Sequence, residues 1–372
     1  MTSSNPSISI IVPVYKGKIY IPQIIKQVDD NAQNVPENRV ELVIYNDYPN
    51  ESIDNSINIS SDNLSVIIIN STRNSGIHGA RVAGLQKSSG DVVMFLDQDD
   101  YIYPEYLKKQ LAVMKDADIV VCEVVHAGKC HYSSSFRFEN VVTADFLMNN
   151  WNSIVSPGQV LIRRNVIPDI WINNIIRTNG ADDYFLWLLL VKTGIQFKLN
   201  EETLFEHTVK GDNTSLDTNK MMDSETEMID YLYNSGLYSE EEKKNLFKLQ
   251  ASLRRIHIKE LEDYREAFFC YKELSCDSLN NLKDKRVGIY GAGIIGQTLA
   301  SILIQHDIDV VYIDKNADNI KVDLNVYSLD NAPNYFDLII VTPLPGREKI
   351  IADISNQFSC NIVSLSDFYK LR

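Results

Sequence analysis

Between residues 7 and 125, short runs rich in Ile and Val (7–14, 40–45, 64–69, 91–96 and 118–125) alternate with stretches of helical character. Runs that are apolar at nearly every position must be covered on both faces. Helices between them supply that cover, so the pattern implies a parallel sheet. The helix between the third and fourth runs is expected to begin near Gly76 or Ile77 and to end before Ser88-Ser89-Gly90, and Pro104 suits the first turn of the helix after the fourth. Tyr15, Asp47, Asn70 and Asp97 stand at the carboxyl ends of the first four runs. Ligands of open α/β sheets collect at those ends, so these side chains are expected to converge on one crevice.

The fourth run carries the chemistry. Val92-Val93-Met94-Phe95-Leu96 opens directly onto Asp97-Gln98-Asp99-Asp100, which holds three carboxylates. Unpaired buried charge is prohibitive, so these acids need a cation, a donor-rich ligand or water. Oxygen ligands at such spacing suit Mg2+ or Mn2+ carrying a diphosphate. Asp99 would then hold the ion, leaving Asp97 to accept from a ribose hydroxyl. Capping of the following helix by Asp97 and Asp100 is the competing explanation, and it accounts for one Asp better than for three.

With 372 residues, 44% hydrophobic and 23% charged, the chain has room for two cores. No run approaches the ~20 uninterrupted apolar residues of a membrane span. The opening Met1-Thr2-Ser3-Ser4-Asn5-Pro6 lacks the basic and apolar regions of a signal peptide, so a cytoplasmic protein is expected. A net charge of −14 argues against nucleic-acid partners, while the basic stretch Arg254-Arg255-Ile256-His257-Ile258-Lys259 leaves room for peripheral membrane contact. The five cysteines are odd in number and scattered, which fits reduced thiols. Cys122, His126, Cys130 and His131 are zinc-ligand residue types. They straddle a hairpin turning at Ala127-Gly128-Lys129, which argues against a zinc site.

From 143 to about 215 the pattern is mixed, with a strand expected at 158–163 and a helix at 182–192 that is apolar nearly all round and so must be enclosed. Residues 216–284 are rich in Glu, Lys and Leu, contain no proline and are interrupted only by Gly236. They read as two or three helices linking a domain at 1–215 to one at 285–372. In the latter, strands at 286–290, 309–313, 337–342 and 361–365 alternate with helices, a small doubly wound pattern. Gly291-Ala292-Gly293-Ile294-Ile295-Gly296 is a Gly-x-Gly-x-x-Gly turn between strand and helix, and Asp314 ends the next strand. Gly291, Gly293, Gly296 and Asp314 thus form a candidate second nucleotide site. The unit is too short for a complete dehydrogenase and has no Tyr-x-x-x-Lys element, so packing or partner docking competes with nucleotide binding.

Taken in order, the motifs of residues 7–215 resemble the family-two glycosyltransferases of the GT-A fold, which pass a sugar from a nucleotide diphosphate to an acceptor hydroxyl with inversion. Ser9-Ile10-Ile11-Val12-Pro13-Val14-Tyr15 resembles the opening strand beside the nucleotide base, implying that Pro13, Val14 and Tyr15 border the donor. Tyr45-Asn46-Asp47 is similar to the end of the second strand, which implies a uracil-recognising Asp47. Arg73-Asn74-Ser75-Gly76 and Gly79-Ala80-Arg81 resemble the donor-lining stretches, bringing in Asn74, Gly76 and Arg81. Leu96-Asp97-Gln98-Asp99-Asp100 resembles the Asp-x-Asp element, with Asp99 implied as metal ligand. Two positions depart from the family pattern: Asn46-Asp47-Tyr48-Pro49 stands where Asp-Asp-Gly-Ser is usual, and Val82 where Asn is common.

Gly180-Ala181-Asp182-Asp183-Tyr184 resembles the Gly-x-Glu-Asp element, implying Asp183 as catalytic base. Neighbours on a helix point about 100° apart, so Asp182 and Asp183 should serve different partners. Phe205-Glu206-His207 with Asn213-Thr214-Ser215 is similar to the late His-x-x-Asn-x-Ser stretch, implying that His207 completes the metal shell, an arrangement that favours Mn2+. By the same resemblance Ser156-Pro157-Gly158-Gln159 and the basic pair Arg163-Arg164 would sit beside the acceptor.

The resemblance therefore implies an α/β chain: a GT-A domain with a mostly parallel sheet, a helical linker and a Rossmann-like domain. Its activity would be inverting, Mn2+- or Mg2+-dependent hexosyl transfer from a UDP-sugar to a sugar or lipid-linked glycan acceptor, in cell-surface polysaccharide or glycoconjugate synthesis. Two alternatives stay open. One is a nucleotidyltransferase, disfavoured because no glycine-rich loop with basic residues follows the first run; the other is a non-catalytic nucleotide-binding module built on the second unit.

Overall fold

Each continuous apolar run is a strand in the computed structural model, which describes residues 5–53, 59–115, 117–126, 128–132, 142–208, 217–272, 279–315, 317, 320, 322, 324–343 and 347–368. In the first unit these strands are β1 (Ile8–Val14), β2 (Val40–Asn46), β3 (Leu64–Asn70), β4 (Val92–Phe95), β5 (Tyr101–Ile102), β6 (Ile119–His126), β7 (Lys129–Cys130), β8 (Val160–Arg163) and β9 (Phe197–His207). They form one sheet in the order β3-β2-β1-β4-β8-β6-β9-β5, with β7 paired to β6. β1 to β4 run parallel, and β8 is antiparallel to both β4 and β6. β9 returns parallel to β6.

That topology positions the site. The strand order reverses between β1 and β4, the place where open α/β sheets leave a crevice beyond their carboxyl ends. The register sets Val14 beside Asn46, so Tyr15 and Asp47 emerge level with each other. Because β9 shares the direction of β6 and β4, its last residue, His207, reaches the same edge as Asp97. The reversed strand β8 brings the segment before it, Ser156-Pro157-Gly158-Gln159, to that edge as well.

Continuous hydrophobicity finds its cover in helices. All four residues of β4 are buried, and the helix Gly76–Lys87 lies so close to β1 that a Cβ at Gly84 would meet Ile11 Cγ2 at 2.4 Å. The helix Asp182–Lys192, apolar on nearly every side, is buried at all but two of its positions. No helix among the described residues is long and apolar enough to cross a membrane.

The chain divides into two compact units, residues 1–257 and 258–372. This boundary differs from the linker expected over 216–284. The helix Thr218–Asn234 and the first part of Glu240–Lys272 set Met228, Ile229, Leu232, Leu246, Leu249 and Leu253 into the first unit's core. Their spacing of three to four residues is the inner stripe of an amphipathic helix, so these helices belong to the domain they cover.

In the second unit β10 (Val287–Tyr290), β11 (Val310–Ile313), β12 (Val326–Tyr327), β13 (Leu338–Val341) and β14 (Asn361–Ser364) form a wholly parallel sheet in the order β12-β11-β10-β13-β14. The unit is thus doubly wound around β10, as expected, with one two-residue strand, β12, too short to show a pattern in sequence. Gly291 takes φ +99°, and a Cβ on Gly296 would stand 1.9 Å from the Gly291 carbonyl oxygen. Both positions therefore require glycine for the turn and the close helix approach.

Candidate active site

A cleft of about 690 Å³ opens at the β1/β4 reversal. Its walls include Pro13, Val14 and Tyr15 from the end of β1, Asp47 after β2, Asp97 and Asp99 after β4, and His207 at the end of β9. Asn74, Gly76 and Arg81 contribute from the start of the helix Gly76–Lys87, and Asp183 from the first turn of Asp182–Lys192. Residues spread over almost two hundred positions of sequence therefore meet at one sheet edge.

Arg81 organises the floor. Its guanidinium binds Asp97 Oδ1 at 2.5 Å and Asp182 Oδ2 at 2.6 Å, and its side chain is only 4% exposed. Burial alone would favour the neutral form. The two acids outweigh it and keep the cation charged. Asp182 is thereby committed to Arg81, while its backbone carbonyl accepts from the Trp171 indole N–H at 2.8 Å.

Asp183 stands in a different environment. Burial pushes its carboxyl up to about 7, and repulsion from Asp182 acts in the same direction against the pull of Arg81. Its Oδ2 accepts from the Asn152 side-chain amide at 3.2 Å. A carboxylate bordering a cleft with an affinity for protons near neutrality has the properties of a general base.

The third acid of the β4 tip has a role that sequence reasoning did not assign. Asp100 is buried; its Oδ1 meets His207 Nδ1 at 2.9 Å and accepts from the Thr208 N–H at 3.0 Å, and its Oδ2 accepts from Ser156 Oγ at 2.8 Å. It does not cap the next helix, Tyr106–Met114, whose N-cap is Glu105. Beside a carboxylate, Nδ1 of His207 carries the proton, which leaves Nε2 as the ring atom with a lone pair to offer. Burial lowers the imidazole pKa, but the Asp100 hydrogen bond and the charges of Asp97 and Asp99 raise it overall.

Among the described residues no three His, Cys, Asp or Glu side chains form a ready-made metal cage. Asp99 and an oriented His207 on one cleft nevertheless fit a divalent cation that takes its remaining oxygens from substrate phosphates and water, the usual habit of Mg2+ and Mn2+. Cys122 is buried in the sheet, and Cys130 Sγ lies 3.5 Å from Thr203 Oγ1.

Gln98, between the acids, ties the two strand ends together. Its Oε1 accepts from the Tyr15 N–H at 3.0 Å and its Nε2 donates to the Tyr15 carbonyl at 3.3 Å. Asp47 borders the cleft while accepting from the Ser75 N–H and from Ser75 Oγ at 2.7 Å. Burial raises its pKa against those bonds.

Two expectations are corrected. Asn70 does not join the crevice: it accepts from Asn46 Nδ2 at 2.8 Å and the Ile53 N–H at 2.9 Å, a clasp one strand too far out. Arg163 and Arg164 lie at the opposite, amino-terminal edge, because β8 runs antiparallel and carries its last residues away from the cleft. There they border a larger cavity of about 1190 Å³. Arg163 donates to the Ala117 and Met114 carbonyls, and Arg164 to those of Gly90 and Leu85, so both serve the fold. Asn213, Thr214 and Ser215 lie outside the described residues.

In the second unit Asp314 Oδ2 accepts from the Ala292 N–H at 2.9 Å, so the acid at the end of β11 closes the glycine turn. Gly293 is exposed, with open space around its Cα.

Comparison with known proteins agrees with this architecture. Residues 9–171 match the glycosyl transferase family 2 model, and residues 249–350 match the model of the D-isomer specific 2-hydroxyacid dehydrogenase, NAD binding domain. An uncharacterized glycosyltransferase of Haemophilus influenzae is 25% identical over 66% of this chain and 82% of its own length. A second such protein of that organism is 36% identical, over 31% of this chain and 45% of its own length, so the chain spans less than half of it. Among solved structures, S. aureus TarS 1–349 is 17% identical over 65% of this chain and 70% of that chain, with a TM-score of 0.47. The chain carries a family 2 glycosyltransferase domain followed by a Rossmann-like domain.

Proposed function

We propose that this chain, a family 2 glycosyltransferase domain joined to a Rossmann-like one, transfers a sugar with inversion from a UDP-sugar to an acceptor hydroxyl. The observation that carries the reading is the meeting of Asp99, His207, Arg81 and Asp183 around one cleft at the carboxyl edge of the sheet. Asp99 and His207 would hold Mn2+ or Mg2+, which when bound neutralises the donor diphosphate. Pro13, Val14, Tyr15, Asp47, Asn74 and Gly76 form the wall assigned to the nucleoside. Asp97, held by Arg81, keeps one oxygen for a ribose hydroxyl.

Asp183 takes the proton of the acceptor hydroxyl as that oxygen attacks the anomeric carbon. The bond from that carbon to the diphosphate oxygen breaks, and its electron pair leaves with the diphosphate. A positioned base typically supplies about 10²- to 10⁴-fold. Arg81 withdraws Asp182 from this work by ion pairing, so the two adjacent acids do not compete for one proton. An acceptor in a cell-surface glycan completes the reading.

The test is a screen of UDP-sugars for UDP release with and without Mn2+. Mn2+-dependent release from at least one of them, lost in Asp183→Asn, is expected. Release of pyrophosphate from a nucleoside triphosphate instead would replace the proposal with nucleotidyl transfer.

A further inference from the structure

The catalytic cleft is short of positive charge. The carboxylates of Asp47, Asp97, Asp99, Asp182 and Asp183 line it, against the guanidinium of Arg81, the imidazole of His207 and the ammonium of Lys16. Arg81 is committed to Asp97 and Asp182, and His207 to Asp100. Lys16 is exposed, and among the described residues no carboxylate pairs with it.

The backbone fastens Lys16 to the tip of β4. Its φ of +53° is left-handed, one of two such values on a residue other than glycine among the described residues. Strain of that kind persists only where the surroundings fix it. Here the Gln98 side chain binds both the N–H and the carbonyl of Tyr15 on one side of Lys16. On the other side, a Cβ on Gly17 would stand 2.0 Å from Gln98 Oε1. The turn that presents Lys16 is therefore wrapped around the residue between Asp97 and Asp99.

The contacts the ammonium makes are weak and replaceable. It lies 5.4 Å from the centre of the Tyr15 ring and 5.7 Å from that of Tyr48, two rings set edge-on at 5.3 Å. A cation over exposed aromatic faces is held less firmly than one bonded to a phosphate oxygen. Tyr15 belongs to the wall assigned to the nucleoside, so a nucleotide seated there meets the ammonium at its resting place. Charge balance points the same way. The two positive charges of a divalent ion on Asp99, set against that carboxylate and the two negative charges of a sugar-linked diphosphate, leave one negative charge over. Lys16 is the cation in the lining that matches it.

We infer that Lys16 is a donor-binding residue: when the nucleotide enters, its ammonium leaves Tyr15 and Tyr48 for an oxygen of the diphosphate. The inference rests on the proposed UDP-sugar reading and adds to it a cation supplied by the protein. The four-carbon stem of lysine gives the head the freedom to make that move.

The test compares uridine, by NMR titration, with UDP, by calorimetry, on the full chain with Mn2+ present. Lys16→Gln removes the charge and keeps most of the length, and Lys16→Arg keeps the charge. Lys16→Gln is expected to weaken UDP by about ten- to a hundredfold while uridine stays within about twofold, and Lys16→Arg should hold most of the UDP affinity. Unchanged UDP affinity in Lys16→Gln would overturn the inference, as would an equal loss in both variants. So would an equal loss for uridine and UDP, which makes Lys16 a support of the aromatic wall alone. The transferase reading fails separately: UDP bound with the expected ratios, and no sugar transferred from any UDP-sugar, leaves the role of Lys16 standing and removes the chemistry. A wild type that binds neither ligand removes both.

Discussion

Arg81 and Asp182 form an ion pair of 2.6 Å whose side chains are 4% and 2% exposed, the most deeply enclosed charge pair of the site. Removing one member leaves the other charged and buried, which typically costs about 3–5 kcal/mol. Asp182→Ala is therefore expected to lower stability by about that amount in urea unfolding. The double variant Arg81→Met, Asp182→Leu should recover only part of the loss, because it removes the Arg81–Asp182 pair whole but takes from Asp97 its own Arg81 partner. A single-variant loss below about 1 kcal/mol, the range of surface pairs, would show that solvent reaches the pair.

Asp183 links stability to activity. Its folded-state value of about 7 lies above the ordinary 3.8, so between those values the folded protein holds a proton that the unfolded chain has released. Stability must then fall as pH rises through that window. Asp183→Asn should raise Tm at about pH 8 and give no gain below about pH 4, read by calorimetry at both. Turnover should move the opposite way, rising with pH to half its plateau near 7 in the wild type, as a base must be unprotonated. A pH-independent Tm difference would remove the assignment of a strained carboxylate.

Asp100 orients His207 without facing the substrate itself. Second partners of metal-binding histidines usually matter by about 10- to 100-fold in metal affinity. Asp100→Asn should shift the Mn2+ concentration for half-maximal UDP release upward by that factor, with activity recovered at saturating Mn2+. An unchanged midpoint would separate His207 from the metal.

Much of this arrangement was legible in the chain. Continuous Ile/Val runs give parallel strands because only two-sided burial rewards them, and β1 to β4 appear within a residue or two of where those runs lie. The acids of Asp97-Gln98-Asp99-Asp100 declared a polar strand end for the same reason that they had to be satisfied. What did not show was direction and pairing. Nothing local tells that β8 runs backwards, and that reversal alone moves Arg163 and Arg164 to the far edge. The bond between Asp100 and His207 joins residues over a hundred positions apart.

The second unit offers an independent check on close packing. A side chain on Gly296 would collide with the Gly291 carbonyl oxygen, 1.9 Å from an added Cβ, and backbone cannot move aside as a side-chain tip can. Gly296→Val is expected to accelerate amide hydrogen exchange across 287–341. Unchanged protection there would mean that the helix Ile294–Gln305 can shift outward at little cost.

The division of labour between the β4 tip and the helix Asp182–Lys192 is tested most directly by calorimetric titration of UDP, with and without Mn2+, into the wild type, Asp99→Asn and Asp183→Asn. The account predicts Mn2+-dependent UDP binding in the wild type, its loss in Asp99→Asn and its retention in Asp183→Asn alongside abolished transfer. Equal UDP affinity in all three proteins, independent of Mn2+, would contradict it.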